Sequence, residues 1–279
     1  MGFYIIKGTY HVVNYSPDGD SIRFRADNPA NWNLLSGSTV AINGSGHAQL
    51  RLEAIDTLET HYSRFHQPLG LALGALEFLL DELNITNVQW NAQHTKVISA
   101  NDGTRGYIIA RAVERNHRPI SFAFAGDAEE ADGSFIEFYA DRLAESVNYK
   151  SVEAGMAYPT YYQGLFPDLR LALTQAAGNA RTANLGVWAE DKTETGFAAP
   201  DIETLEDDIV ILPKLFRRLV EHLEGGGTVA NFKQYLAALS EGVTIVSTTH
   251  FTHFDTVIEV NGDEVRMTEP PENLVFGES

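Results

Sequence analysis

Two short stretches of this sequence gather the side chains that hydrolysis of a charged ester would use. Asp18-Gly19-Asp20-Ser21 puts a carboxylate at the start of a strand. Arg51-Leu52-Glu53-Ala54-Ile55-Asp56-Thr57-Leu58-Glu59-Thr60 runs a strand into a turn dense with functional groups. Hard cations such as calcium take oxygen ligands, which carboxylates from separate strands can supply. Taken singly each motif is weak, since an Asp-Gly-Asp turn is most often only a turn and an arginine on a strand usually makes a surface salt bridge. Geometry adds a demand. Arg51 and Asp56 are an odd number of residues apart and face opposite ways on an ideal strand, so for both to serve one site the strand must end, twist hard or bulge before Asp56.

The elements that must position these groups follow from the hydrophobic pattern. Residues 3–13 and 20–27 are rich in Tyr, Ile, Val and Phe around the turn Ser16-Pro17-Asp18-Gly19-Asp20 and read as a hairpin. Strand patterns recur at 38–42, 48–55, 86–91, 95–99 and 107–114, the last two joined by Asn101-Asp102-Gly103-Thr104. Leu, Ala and Phe at helical spacing predict a helix over 69–83, with Pro68 suited to its first turn. Residues 117–146, with the acidic run Asp127-Ala128-Glu129-Glu130, read as an insertion of limited regular structure. Helices follow at 147–155 and 168–184. About five strands with a helix between the third and fourth suit a small oligonucleotide-binding (OB-fold) barrel with flanking α-helices, a mixed β-barrel plus helices. Residues 193–204 read as a linker, and 205–279 as a small acidic α+β unit that docks on the first domain or on a partner.

At these residues the chain resembles the staphylococcal nuclease (thermonuclease) family, whose pattern is Asp-Gly-Asp-Thr, then Arg-Leu-x-x-x-Asp-Thr-Pro-Glu, then Gly-Arg on a later strand. Here these read Asp18-Gly19-Asp20-Ser21, Arg51 to Glu59, and Thr104-Arg105, with further matches at Val147-Asn148, Val152, Gly155, Tyr161, Ala180-Arg181 and Gly186-Val187-Trp188. The resemblance covers about residues 10–190 in order and makes 1–192 the nuclease-like domain. It implies that Asp20, Asp56 and the backbone carbonyl of Thr57 hold Ca2+. Glu59 would activate the attacking water, Arg51 and Arg105 would grip the phosphodiester, and Tyr161 would contact the nucleotide. The implied reaction is in-line hydrolysis of DNA or RNA, single-stranded or unpaired, leaving 3′-phosphate ends. Two departures stand out: Leu58 replaces the family's proline and is expected to loosen the turn, and Gly103-Thr104 stands where Tyr-Gly is common.

The net charge of −18 is unusual for a protein that binds a polyanion. It is concentrated toward the end of the chain, with a net of −7 over residues 1–192 and −11 over 193–279. The absence of cysteine excludes disulfides and thiolate-bound zinc. No run approaches the roughly 20 apolar residues of a membrane span, and the start lacks a secretory core, so the chain as given reads as cytoplasmic, a removed leader aside. His61 and His66 near Glu59, and His250 and His253 in the tail, read first as loop and strand residues rather than ligands. Arg217-Arg218 reads as ion-paired in a helix. Two alternatives accompany the nuclease reading: a non-catalytic nucleic-acid or protein binding module on the same barrel, and a nuclease inhibited by an acidic tail that mimics DNA and covers the arginines.

Overall fold

The computed structural model describes residues 2–93 and 95–277. The chain runs through β1 (Gly2–His11), β2 (Arg23–Ala26), β3 (Ser36–Gly37), β4 (Ala48–Gln49), β5 (Arg51–Leu52), β6 (Ile55–Asp56), α1 (Leu69–Glu82), β7 (Thr86–Trp90), β8 (Val97–Asn101), β9 (Thr104–Val113), β10 (Pro119–Ala125), β11 (Phe135–Glu137), α2 (Ala140–Leu143) and α3 (Val147–Glu153). It continues through β12 (Tyr158–Pro159), β13 (Tyr161–Tyr162), α4 (Pro167–Thr182), β14 (Phe197–Ala198), α5 (Ile202–Asp207), α6 (Pro213–Glu224), α7 (Phe232–Leu239), β15 (Gly242–Ile245), β16 (His250–His253), β17 (Ile258–Asn261), β18 (Glu264–Met267) and β19 (Leu274–Phe276). Two compact units emerge, Met1–Glu53 with Leu76–Ser151, and Ala54–Ala75 with Val152–Ser279. Compactness therefore divides the chain elsewhere than at the expected 193–204 linker.

The first unit is a nearly closed mixed barrel in the strand order β4-β2-β1-β9-β10-β5. Both ends of that order belong to the stretch 48–52, which closes the barrel. On one side Leu50 and Leu52 donate their N–H groups to the carbonyls of Ile22 and Asp20, each at 2.9 Å. On the other, Arg51 and Leu52 run parallel to Ile120 and Ser121. In β1 burial alternates at Phe3 and Ile5, changes phase, and alternates again at Ile6, Gly8 and Tyr10, while β9 and β10 bury consecutive residues, Tyr107 to Ala110 and Phe122 to Phe124. Gly106 is required by this packing: a Cβ there would lie 2.1 Å from the Tyr10 ring and 2.6 Å from the Phe124 carbonyl.

The segment 117–146 departs from the expected loose insertion. β10 is a central barrel strand, antiparallel to β9 with Phe122 opposite Ile109, and β11 pairs with β1. The acidic run that follows hides a strand pattern, Ile120 to Ala125, that stands clearly by itself. The expected strand at 38–42 is replaced by the two-residue β3, which lies parallel to β9.

The second unit holds a sheet in the order β13-β19-β15-β16, a second in the order β14-β18-β17, and the pair β12-β6. Helix α4 starts at Pro167 and buries Leu169, Leu173, Ala176, Ala177 and Ala180, an amphipathic stripe. Residues 193–204 are structured: Thr193 is fully buried, Phe197 pairs with Val265, and the Asp201 side chain caps α5. Nor do residues 205–279 form a separate domain, because β19 lies parallel to β13 and Arg181 of α4 forks onto Glu272 at 2.6 and 2.9 Å. Some seventy residues bury too little surface to stand alone, and sharing a sheet with residues 161–162 is how this chain resolves that. Among the described residues no helix is long and apolar enough to cross a membrane.

Candidate functional site

Three of the expected site residues lie in the barrel unit. Asp20 leaves the turn closed by the reciprocal backbone bonds of Asp18 and Ser21, at 3.2 and 3.3 Å, and its carbonyl is the acceptor for Leu52 N–H. Asp20 and Arg51 therefore sit on neighbouring rungs of one seam. The Arg51 guanidinium is 3.5 Å from Glu114. Asn148 holds this seam in place from within the core: it is fully buried, donates to the carbonyls of Glu53 at 2.9 Å and Ser121 at 3.1 Å, and accepts from Ala123 N–H at 2.9 Å. All its amide capacity goes to backbone, so Asn148 reads as a positioning residue.

Arg105 follows the turn that Asp102 ties down by accepting from the N–H groups of Val12 and Val13 at 2.8 and 2.9 Å. Its guanidinium reaches Asp27 at 2.5 Å and Asp127 at 3.4 Å. The hydrogen bond it donates to Asp27 is the main reason its pKa is held above the ordinary value. Asp127 also pairs with Lys7 at 3.1 Å, and Glu130 takes Arg142 at 2.5 and 3.1 Å. The acidic run is thus a loop with two of its carboxylates ion-paired, Asp127 to Lys7 and Arg105 of the barrel and Glu130 to Arg142 of α2.

In the second unit the break demanded between Arg51 and Asp56 is present. β5 stops at Leu52, Ala54 turns left-handed at φ 69°, and β6 resumes with Asp56 opposite Tyr158. A non-glycine residue adopts that conformation rarely. The turn beyond is firm. Leu58 is fully buried and ties the turn to the core. Gln67, also fully buried, accepts from Glu59 N–H at 3.2 Å and donates its side-chain amide to Ile211 O at 2.9 Å, while its own N–H reaches Glu59 O at 2.9 Å.

This turn brings Asp56 and Glu59 onto a single guanidinium. Arg217 of α6 donates to both Asp56 oxygens at 3.0 and 2.8 Å and to Glu59 at 2.5 Å. The Asp56 and Glu59 side chains are 7% and 12% exposed. Burial by itself would lower the Arg217 pKa, but the Asp56 and Glu59 carboxylates outweigh it and hold it well above the usual value. Thr57 is buried, and its Oγ1 has no hydrogen-bond partner among the described residues. The donors are of the hard-oxygen kind that calcium takes, yet the arrangement does not fit a cation while both Asp56 oxygens are engaged by the fork. Among the described residues no group of three or more His, Asp and Glu is arranged to hold a metal.

Tyr161 is not a substrate contact. It is fully buried, and its hydroxyl reaches Thr174 at 3.0 Å and Arg170 O at 3.3 Å, leaving no ring face for a base. His66 is spent on backbone, its Nδ1 3.1 Å from Gln67 O and its N–H donated to Glu206. Arg217 is ion-paired in a helix as the sequence reading expects, but that reading did not name Asp56 and Glu59 as its partners. A signal was available: Arg217 lies four residues after buried Pro213 and three before buried Val220, and a charge on the buried face of a helix requires a partner. A scan against protein-family models returns no match, and a comparison with curated proteins returns none either.

Proposed function

We propose that this protein hydrolyses phosphodiester bonds of DNA or RNA on an OB-fold barrel of the staphylococcal nuclease type. The observation that carries the reading is the convergence of Asp56 and Glu59 on one cation-sized position occupied by a guanidinium. A turn that aims two near-buried carboxylates at one point is suited to hold positive charge beside a phosphate and to take a proton from water. The adjacency of Asp20 and Arg51 on the barrel seam is a second support. It is the sequence pattern, in its order along the chain, that joins the two groups into one site.

In this reading Glu59 takes the proton of the attacking water, and Arg51 and Arg105 neutralise the charge that builds on the phosphorus-bound oxygens. Calcium, which the resemblance assigns to Asp20, Asp56 and the Thr57 carbonyl, would supply further positive charge. The bond to the 5′-oxygen breaks, leaving a 3′-phosphate. The test is cleavage of single-stranded DNA with calcium, with and without chelator, beside Glu59→Gln. A loss of about 10²-fold or more in the variant, and of all activity on chelation, is expected. Equal cleavage by both proteins overturns the reading. A binding module is the second reading, favoured by the Arg217 fork, which engages the Asp56 and Glu59 carboxylates that cleavage needs. It predicts DNA binding that survives Glu59→Gln, with no cleavage by either protein.

A further inference from the structure

Helix α6 meets the segment that carries the candidate carboxylates through a regular ladder. Arg217 takes Asp56 and Glu59, Glu221 accepts from the Tyr62 hydroxyl, and Glu224 pairs with Arg64 at 3.0 Å. Positions 217, 221 and 224 are spaced i, i+4 and i+7, one line along the helix. Its polar groups change sign once to match the segment 56–64: a cation meets two carboxylates, then carboxylates meet a hydroxyl and a cation. The basic rung belongs to the acidic end of the chain. Neighbouring Arg218 does not reach Asp56 or Glu59; it braces the Glu221 rung at 2.8 Å and pairs with Glu241 at 2.7 Å.

We infer that Arg217 is a resident cation for the Asp56–Glu59 pair, so that a divalent cation and the guanidinium of α6 compete for the same carboxylate oxygens. This rests on the nuclease reading for its meaning, but the competition is a property of the carboxylates themselves. With both Asp56 oxygens bonded to the fork, an incoming ion meets a pair whose charge is already halved and must displace a tethered charge that is always at hand. The chain therefore rests in a state of low cation affinity, and whatever draws Arg217 away creates the cation site.

The experiment measures calcium binding by isothermal titration calorimetry on the full chain, comparing wild type with Arg217→Gln, Arg217→Lys and, as a remote loss of one positive charge, Arg266→Gln. Arg217→Gln is expected to bind calcium at least about tenfold more tightly than wild type, with Arg217→Lys and Arg266→Gln close to wild type. Calcium affinity in folded Arg217→Gln within twofold of wild type, or an equal gain in Arg266→Gln, overturns the inference. Hydrogen exchange of α6 in the wild type, without calcium and at about 10 mM calcium, gives a second readout. Faster exchange over 213–224 with calcium supports displacement, and an unfolded Arg217→Gln combined with no change at α6 overturns it. Single-stranded DNA cleavage by the same samples separates the two proposals. Tighter calcium binding without cleavage leaves the competition standing and removes the nuclease reading, whereas equal cleavage by wild type and Arg217→Gln at unchanged affinity does the reverse.

Discussion

Arg105 in the barrel unit and Arg217 in the second unit are each held between two carboxylates, yet they are different objects. The Arg105 side chain is 40% exposed and its partners Asp27 and Asp127 are 45% and 54% exposed. Arg217 is 23% exposed, with partners at 7% and 12%. Water and salt screen the first group, so its pairs open readily and leave the guanidinium available to an incoming phosphate. The second group is shielded, and removing one member strands charge in a poorly solvated place. The same chemistry thus serves as an adjustable contact in one region and as part of the fold in the other.

The largest test of that contrast is Arg217→Gln, expected to lower the unfolding free energy in metal-free buffer by about 3–5 kcal/mol, measured by urea denaturation. A loss below about 1 kcal/mol would place Arg217 with the exposed pairs instead. Glu241, which joins Arg218 and Lys214 of α6 at 2.7 and 3.2 Å, gives an intermediate effect with a pH signature. Burial raises its carboxyl, but the Arg218 hydrogen bond and the Lys214 charge win and bring it from 4.5 down to about 2. A carboxyl depressed on folding stabilises the protein above its unfolded value and loses that contribution as pH falls through the folded one. Glu241→Gln should therefore cost about 2 kcal/mol at neutral pH, and its deficit relative to wild type should shrink between pH 4.5 and about 2. A deficit independent of pH would mean that packing, not charge, holds this contact. The smallest effect is expected at Asp27→Asn, under about 1 kcal/mol and vanishing at high salt; a larger, salt-insensitive loss would erase the difference between the two regions.

Much of the barrel was legible beforehand because its signals are local. The hairpin of β1 and β2, the helix from Leu69 and the strand from Thr104 each follow from side-chain period and turn residues within a short window. The demand for a break between Arg51 and Asp56 also came from period alone, and Ala54 meets it. Where composition was read over a wider window, it misled. The acidic run after residue 126 masked β10, and the Asp- and Thr-containing stretch at 193–204 masked a strand and a capped helix. Tyr161 shows another limit, since its residue type suits both stacking and burial and only its neighbours, Arg170 and Thr174, decide between them.

By itself the sequence determined which acidic and basic side chains stand close along the chain and which local elements carry them, because residue type and periodicity are properties of neighbours along the chain. Tertiary structure alone decided what those side chains touch. Arg217 reaches Asp56 and Glu59 across 161 and 158 residues, and β19 joins β13 to make one unit of what reads as two. Such pairings depend on which buried faces pack together, and a charge on one helix carries no local mark of the carboxylate it will meet.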